Sequence, residues 1–154
     1  YCHPALQVQR SPRRGLGLVL TEAVQEGTLL FACTPFAAAP QADLQRAVME
    51  RLKWCTQTDF DRFFSLDDGT DAQRDVPAQP LPQGRPADAA PCDRAPRLID
   101  EQRVERILRL NTHARDRLNA HGASTDSNLY GVWLLPALLN HACRPTVSRT
   151  YVGE

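Results

Sequence analysis

The hydrophobic pattern of the first forty residues predicts short β-strands. Leu6 and Val8 alternate with glutamines, which is the two-residue period of a strand with one buried face. Turns containing proline or glycine separate this run from two further apolar runs. The predicted strands cover residues 6–9, 18–20 and 28–33, within a β-region that spans residues 5–36.

The next segment, residues 41–66, has a helical period. Apolar residues recur there at spacings of three and four, with charged residues between them, as in a helix with one buried face. The predicted helix covers residues 41–55 and continues through Phe60, Phe63 and Phe64.

Residues 67–97 follow neither period. Six of the twelve prolines lie here, with several aspartates and almost no large apolar side chains. Such a segment cannot bury enough surface to offset the entropy lost when it becomes ordered. We predict a mobile surface insertion within one domain, because the strands before it need partners from the chain after it.

A second helix is predicted to begin at Asp100. Aspartate is a good N-cap, and Ile99 and Val104 have the spacing of a hydrophobic staple. The helix is expected to end near Gly122. Asn111 lies on its apolar face, which is formed by Val104, Ile107, Leu108, Ala114 and Leu118.

The last part of the chain, within residues 98–154, combines an apolar run with a polar motif. The run Leu129 to Leu139 is interrupted by Pro136 and leads directly into Asn140. Alternating residues from Thr146 to Val152 predict a strand. With the earlier elements, this pattern predicts an α+β fold of short, mostly antiparallel strands with helices from the middle of the chain packed alongside.

Composition narrows the classes of function. Eighteen basic and eighteen acidic residues cancel, so the charge does not favour direct binding to nucleic acid, and no apolar run reaches the length of a membrane helix. Five scattered cysteines without a Cys-x-x-Cys pair favour free thiols in a reducing compartment. We therefore expect an intracellular protein, nuclear or cytoplasmic.

The first candidate motif is Arg14-Gly15-Leu16-Gly17. Two glycines around one residue, at the start of a strand, let a backbone pass close to a ligand. A tight turn without a ligand explains the same residues. The motif differs from the dinucleotide fingerprint, which needs a third glycine and a following helix.

The second candidate motif is the run Asn140 to Pro145, with the sequence Asn-His-Ala-Cys-Arg-Pro. Asn140 and His141 at the end of a buried run need hydrogen-bond partners. A polar turn that caps a short helix is the alternative. His141 and Cys143 could also suggest zinc, but zinc needs three or four ligands and no second pair lies nearby.

Taken together, the two motifs resemble those of the SET-domain family of protein lysine methyltransferases, in the branch with an extended helical insert. The resemblance covers residues 5–36 and 98–154. Its specific part is Tyr130 to Pro145. This run is similar to the family's Asn-His-Ser-Cys-x-Pro-Asn motif with its apolar lead-in. It implies a SET-like fold, S-adenosylmethionine as the cofactor and a protein with a target lysine as the substrate.

The resemblance also implies roles for individual residues. Gly15, Gly17, Asn140 and His141 would line the cofactor pocket, and Arg14 and Leu16 would add flanking contacts. Asn111 matches an asparagine that touches the cofactor in this branch, although a satisfied core amide is the alternative interpretation.

Three departures from the family pattern matter. Ala142 replaces a serine, Thr146 replaces an asparagine, and the family's catalytic tyrosine belongs to a segment later than Glu154. We therefore expect no catalytic residue within this chain and no methyl transfer by the chain alone. The same substitutions support an alternative, a non-catalytic SET-like interaction module. We expect no metal, since Cys143 would bind zinc only with cysteines after Glu154.

Overall fold

The computed structural model describes residues 1–11, 15–70, 97–114, 117–118, 124–125, 129–140 and 143–150. Over these residues the fold is mixed α+β, with small antiparallel sheets and three α-helices, as the sequence pattern predicts. The cysteines described (Cys2, Cys33, Cys55 and Cys143) are free thiols.

The chain begins with a β-hairpin. Strand β1 (Leu6–Ser11) pairs antiparallel with β2 (Gly15–Leu20), in a register that runs from Leu6 opposite Leu20 to Ser11 opposite Gly15. Gly15 has a φ of 67°, in the region that favours glycine. The first two predicted strands are therefore confirmed, and both are longer than expected.

The third predicted strand, residues 28–33, is wrong. This segment forms only an isolated bridge between Cys2 and Phe31, flanked by a hydrogen bond from His3 N to Leu30 O of 2.7 Å. The ladder ends there because the chain turns after His3, whose carbonyl oxygen accepts a hydrogen bond of 3.0 Å from Leu6 N.

Distant parts of the chain join in a three-stranded antiparallel sheet of order β3-β7-β4. The central strand β7 (Leu129–Val132) lies between β3 (Ala37–Pro40) and β4 (Thr112–Ala114). A separate two-residue pair joins β5 (Arg117–Leu118) to β6 (Ser124–Thr125). The sheet brings the residues before the helical insert beside the lead-in to the Asn140 motif.

Two helices occupy the insert. A 3-10 turn (Gln41–Asp43) precedes α1 (Leu44–Trp54), and α2 (Gln57–Phe64) follows after a break. The Thr56 side chain accepts a hydrogen bond of 3.1 Å from Asp59 N, which is an N-cap. The predicted continuation through the phenylalanines is thus a separate helix with its own cap.

Helix α3 (Glu101–Asn111) begins as predicted, with the Asp100 carboxylate accepting from Arg103 N at 3.0 Å. The expected end near Gly122 is wrong, because the backbone turns extended at Thr112 and enters β4. Ala114 is therefore in a strand and not on the helix face. Pairing with β7 offers Thr112–Ala114 a full strand partner, and a β-branched threonine favours that conformation.

The strand predicted over Thr146 to Val152 is absent from its described part, which ends at Thr150. All residues from 143 to 150 are exposed, so the alternation at Val147 and Arg149 has no buried face to occupy. Before this segment, a 3-10 helix (Pro136–Leu138) ends the apolar run.

The core lies between the helices and the three-stranded sheet. Phe36 and Phe63 stack at its centre with ring centroids 5.3 Å apart. The Ile99 side chain is partly buried and packs against this core, to which Val104 belongs. The buried cluster consists of Phe36, Ala39, Leu44, Val48, Leu52, Cys55, Phe63, Leu66, Val104, Ile107 and Val132.

The two described ends of the predicted insertion are packed, contrary to the expectation of a surface segment over all of residues 67–97. Asp68 is buried and accepts a hydrogen bond of 3.1 Å from Arg103 Nε. Arg97 donates to Cys55 O at 2.9 Å and to Leu52 O at 3.2 Å. Both ends are held by arginines, because the carbonyls at a buried helix end and a buried carboxylate both need hydrogen-bond partners. Residues 71–96 lie outside the described residues.

Candidate functional site

The two sequence motifs meet in space. The Asn140 side-chain nitrogen Nδ2 lies 3.5 Å from the carbonyl oxygen of Leu16, although these residues are 124 positions apart. The sequence alone gives no distance between the motifs, so this contact is the main structural observation on the candidate site. We call the contact surface formed by Gly15, Leu16, Gly17 and Asn140 the glycine–asparagine junction.

Gly17 is the position at which the junction is tightest. A Cβ added there would overlap Asn140 Nδ2 and would lie 3.8 Å from the Leu138 carbonyl oxygen. Glycine leaves room for the asparagine amide against the strand. Because the overlap is with the end of an exposed side chain, a larger residue at position 17 would displace the Asn140 amide and leave the strand in place.

Gly15 is required for a different reason. Nothing lies within 4 Å of an added Cβ, but its φ of 67° is one that residues with a side chain rarely adopt. It lets the chain enter β2 directly opposite Ser11. The two glycines of the motif thus serve the turn and the close approach separately.

The position of Asn140 in the junction is determined by the 3-10 helix that precedes it. The 3-10 helix is closed by hydrogen bonds of 3.0 Å from Leu138 N to Leu135 O and from Leu139 N to Pro136 O. Leu135 is buried, and Leu138 packs against the core. The apolar lead-in therefore anchors the turn and presents Asn140 at the surface.

The Asn140 amide keeps capacity for a ligand. The residue is exposed, and a distance of 3.5 Å is at the long limit for a hydrogen bond. An amide has two donor hydrogens and one acceptor oxygen. One weak contact to Leu16 leaves polar groups of the junction available to an incoming polar molecule.

Arg14 and His141 lie outside the described residues, so their predicted contacts to the cofactor stay predictions. Leu16 is half-buried and contributes its backbone carbonyl to the junction. Of the predicted residues, the structure therefore brings together Gly15, Leu16, Gly17 and Asn140.

Asn111 is placed elsewhere, in the body of the protein. It is 5% exposed, and its Nδ2 donates to Asp67 O at 2.7 Å and to Ile107 O at 2.8 Å. One amide hydrogen joins α3 to the residues after α2, and the other bonds back to the Ile107 carbonyl within α3. This geometry fits the interpretation of Asn111 as a core amide with satisfied donors, which was the alternative to a cofactor contact.

Asn111 also lies beside a buried ion pair. Burial alone would raise the pKa of Asp68, but hydrogen bonds from Thr70 and the charges of Arg103 and Arg106 outweigh it and lower the pKa below its ordinary value of 3.8. Thr70 donates through its hydroxyl at 2.6 Å and through its backbone N–H at 3.0 Å. These contacts stabilise the described start of the predicted insertion.

Sequence reasoning missed a contact at His113. Its Nδ1 lies 3.0 Å from Arg149 Nη1, and its ring centroid lies 6.4 Å from that of Trp133. Burial and then the charge of Arg149 lower the pKa of His113 below its ordinary value of 6.5. A single histidine in one sequence carries no information on a partner that lies 36 positions away.

Among the described residues, no group of three or more histidine, cysteine or acidic side chains could hold a metal ion. Cys143 is exposed, and zinc binding with later cysteines is not tested by this geometry. No helix in the described ranges is long and apolar enough to cross a membrane.

Comparisons with known proteins give no further assignment. No protein-family model matched the chain, and neither the curated proteins nor the solved structures gave a significant match. Support for a function therefore comes from the junction and from the resemblance of its two motifs.

Proposed function

We propose that this chain forms the cofactor-binding part of a SET-like, S-adenosylmethionine-dependent protein-lysine N-methyltransferase. The observation that supports the proposal is the glycine–asparagine junction. The sequence alone shows two motifs that resemble those of the family. Residues from these two motifs, 124 positions apart in the chain, lie in contact.

The chemistry of the junction fits the polar end of such a cofactor. S-adenosylmethionine, when bound, supplies a methyl group on a sulfonium to the neutral amine of a substrate lysine. Its amino-acid portion carries a carboxylate and an ammonium group, which match the amide of Asn140 and the carbonyl of Leu16. Gly17 admits the close approach, His141 lines the pocket as the resemblance implies, and Arg14 and Leu16 add the flanking contacts.

For Asn111 we propose a bracing role. Its donor hydrogens are engaged by Asp67 O and Ile107 O, so direct binding would first require a buried backbone carbonyl to lose its partner. That loss costs about 1–3 kcal/mol. Asn111 instead fixes the end of α3, from which β4 starts.

Calorimetric titration with S-adenosylmethionine tests the proposal, using the full-length protein that contains this chain. Asn140→Ala removes the amide, and Gly17→Ala places a methyl group in its position. A hydrogen bond to a charged group contributes about 1.5–3 kcal/mol, so we expect each variant to bind about tenfold to a hundredfold more weakly. Leu29→Ala is the matched control, because Leu29 is 59% exposed.

Two outcomes would contradict the cofactor assignment: no binding by the parent protein, or equal affinity in Asn140→Ala and Leu29→Ala. A methyl-transfer assay on lysine-containing proteins then separates the enzyme from the alternative, a non-catalytic interaction module. Binding of the cofactor without transfer to any lysine would favour the module, which the substitutions at Ala142 and Thr146 motivate.

A further inference from the structure

The segment after the Asn140 motif makes a contact that depends on a proton. Residues 143–150 are exposed along their whole length, yet Arg149 reaches back to His113 in β4, with 3.0 Å between Nη1 and Nδ1. This contact links the segment to the three-stranded sheet. It joins two side chains that are 36 positions apart.

The contact fixes the protonation state of His113. An arginine guanidinium has only donors and remains charged, so Nδ1 must be the unprotonated, accepting nitrogen. The ring is then neutral with its hydrogen on Nε2, since a neutral imidazole has one donor and one acceptor. Protonation of Nδ1 would remove the acceptor and place two positive charges against each other.

Among the described residues, few groups could stabilise a charged His113 ring. Nε2 is buried and has no hydrogen-bond partner among the described residues. The neighbouring strand β7 has no charged side chain, and Gly131 lies opposite His113 in the register. Within the described part of the chain, Arg149 is the charged group that acts on the ring.

We propose that His113 and Arg149 form a proton-controlled latch that holds residues 143–150 against the β3-β7-β4 sheet. The neutral ring accepts from Arg149 and keeps the segment docked. The protonated ring repels Arg149 and releases the segment. Because this segment directly follows Asn140 and His141, acidification would loosen the chain on one side of the junction, whatever ligand the junction binds.

The sign of the effect follows from the two causes that act on the ring. Burial and Arg149 both lower the pKa of His113. The docked form is therefore fully favoured when the pH is above 6.5, the ordinary pKa of a histidine. This contribution is lost as the pH falls through the lower pKa of the folded protein. The latch is therefore closed at neutral pH and opens under acid conditions.

Trp133 allows the latch to be observed in the chain itself. The sequence contains two tryptophans, and Trp54→Phe removes the one that is 71% exposed. Fluorescence of Trp133 and the imidazole carbon shift of His113 are then followed from pH 8 to pH 4. Heteronuclear NOE values of the amides of residues 147–149 report whether the segment is ordered at each pH.

We expect a transition in Trp133 fluorescence with a midpoint below 6.5, and a fall in the NOE values across the same range. Arg149→Gln should move the midpoint of His113 upward, because it removes a positive charge. His113→Gln keeps an acceptor that does not titrate, so the NOE values should stay high at acid pH. Circular dichroism at neutral pH checks that each variant is folded.

Three results would overturn the latch. The NOE values of residues 147–149 could remain constant while His113 titrates, or the segment could be disordered at neutral pH. The midpoint in Arg149→Gln could also stay the same or fall. The imidazole shift provides the midpoint directly, so a silent tryptophan signal does not leave the proposal undecided.

Discussion

The helical body, which consists of α1, α2 and α3 with the sheet strand β7, and the glycine–asparagine junction differ in how they are held together. Every large side chain that is fully buried in the described residues lies in α1, α2, α3, β7 or the short links beside the helices. The hairpin β1–β2 contributes none of them, and Leu20 at its end is 38% exposed. The junction is formed instead by one exposed amide against a strand.

This difference separates stability from the candidate chemistry. Apolar burial contributes about 25 cal/mol for each Å² removed from water, so the helical body carries most of the free energy of folding. The junction has few such contacts and contributes little. Substitutions in the body are therefore expected to unfold the protein, whereas substitution of Asn140 at the junction is expected to change binding with little effect on folding.

The largest effect is expected from Phe63→Ala. Phe63 is fully buried and stacks on Phe36, and removing a buried phenylalanine side chain costs about 3–5 kcal/mol. Urea unfolding gives the difference directly. Leu29→Ala, at an exposed position, should stay within about 0.5 kcal/mol of the parent, and a similar loss in both variants would contradict the comparison.

A smaller loss is expected from Asp68→Asn. This change removes the charge that pairs with Arg103, and a hydrogen bond to a charged group contributes about 1.5–3 kcal/mol. Because the pKa of Asp68 is lowered in the folded protein, its contribution is present above about 3.8 and is lost as the pH falls through the lower folded value.

The free energy of unfolding of Asp68→Asn and of the parent should therefore converge in strongly acid solution. Unfolding curves at pH 7 and at successively lower pH measure this convergence. If the difference in free energy of unfolding between the two proteins stays constant down to pH 2, the charge of Asp68 is not what stabilises the residues after α2.

Asn111→Ala is expected to cost about 1–2 kcal/mol, because it removes two hydrogen bonds to backbone carbonyls. Chemical unfolding measures that loss, and titration with S-adenosylmethionine on the folded variant measures binding. An unchanged affinity would agree with a bracing role. A tenfold weaker affinity without loss of stability would instead make Asn111 a direct ligand.

The smallest effect on stability is expected from Asn140→Ala. Its amide is exposed and makes one long contact, so the free energy of unfolding should change by less than about 0.5 kcal/mol. Differential scanning calorimetry measures this change. A loss comparable to that of Asn111→Ala would mean that the junction supports the fold and would weaken its assignment as a binding site.

The sequence predicted the elements whose signals are local. The alternation at Leu6 and Val8 predicted the hairpin, and the Asp100 cap predicted the start of α3 to the residue. The end of α3 was not predictable in the same way. It depends on the pairing of Thr112–Ala114 with β7, and tertiary pairing overrides local propensity.

The features of the candidate site also fall into two groups: those that the local sequence predicted and those that depend on long-range contacts. Both motifs were identified from residue types and spacing, since asparagine after an apolar run and glycine before a strand are visible in one sequence. The partner of Asn111 was not visible, because Asp67 O belongs to a backbone 44 positions away. The contact of His113 with Arg149 was missed for the same reason.

The sequence by itself determined the α+β character, the hairpin, the start of α3 and the residues of the two motifs, because periodicity and capping act over a few neighbouring residues. Only the tertiary structure decided that Gly17 faces Asn140, that Asn111 braces α3 and that His113 accepts from Arg149. Each of these depends on long-range packing, in which a backbone atom or side chain from a distant segment satisfies a polar group.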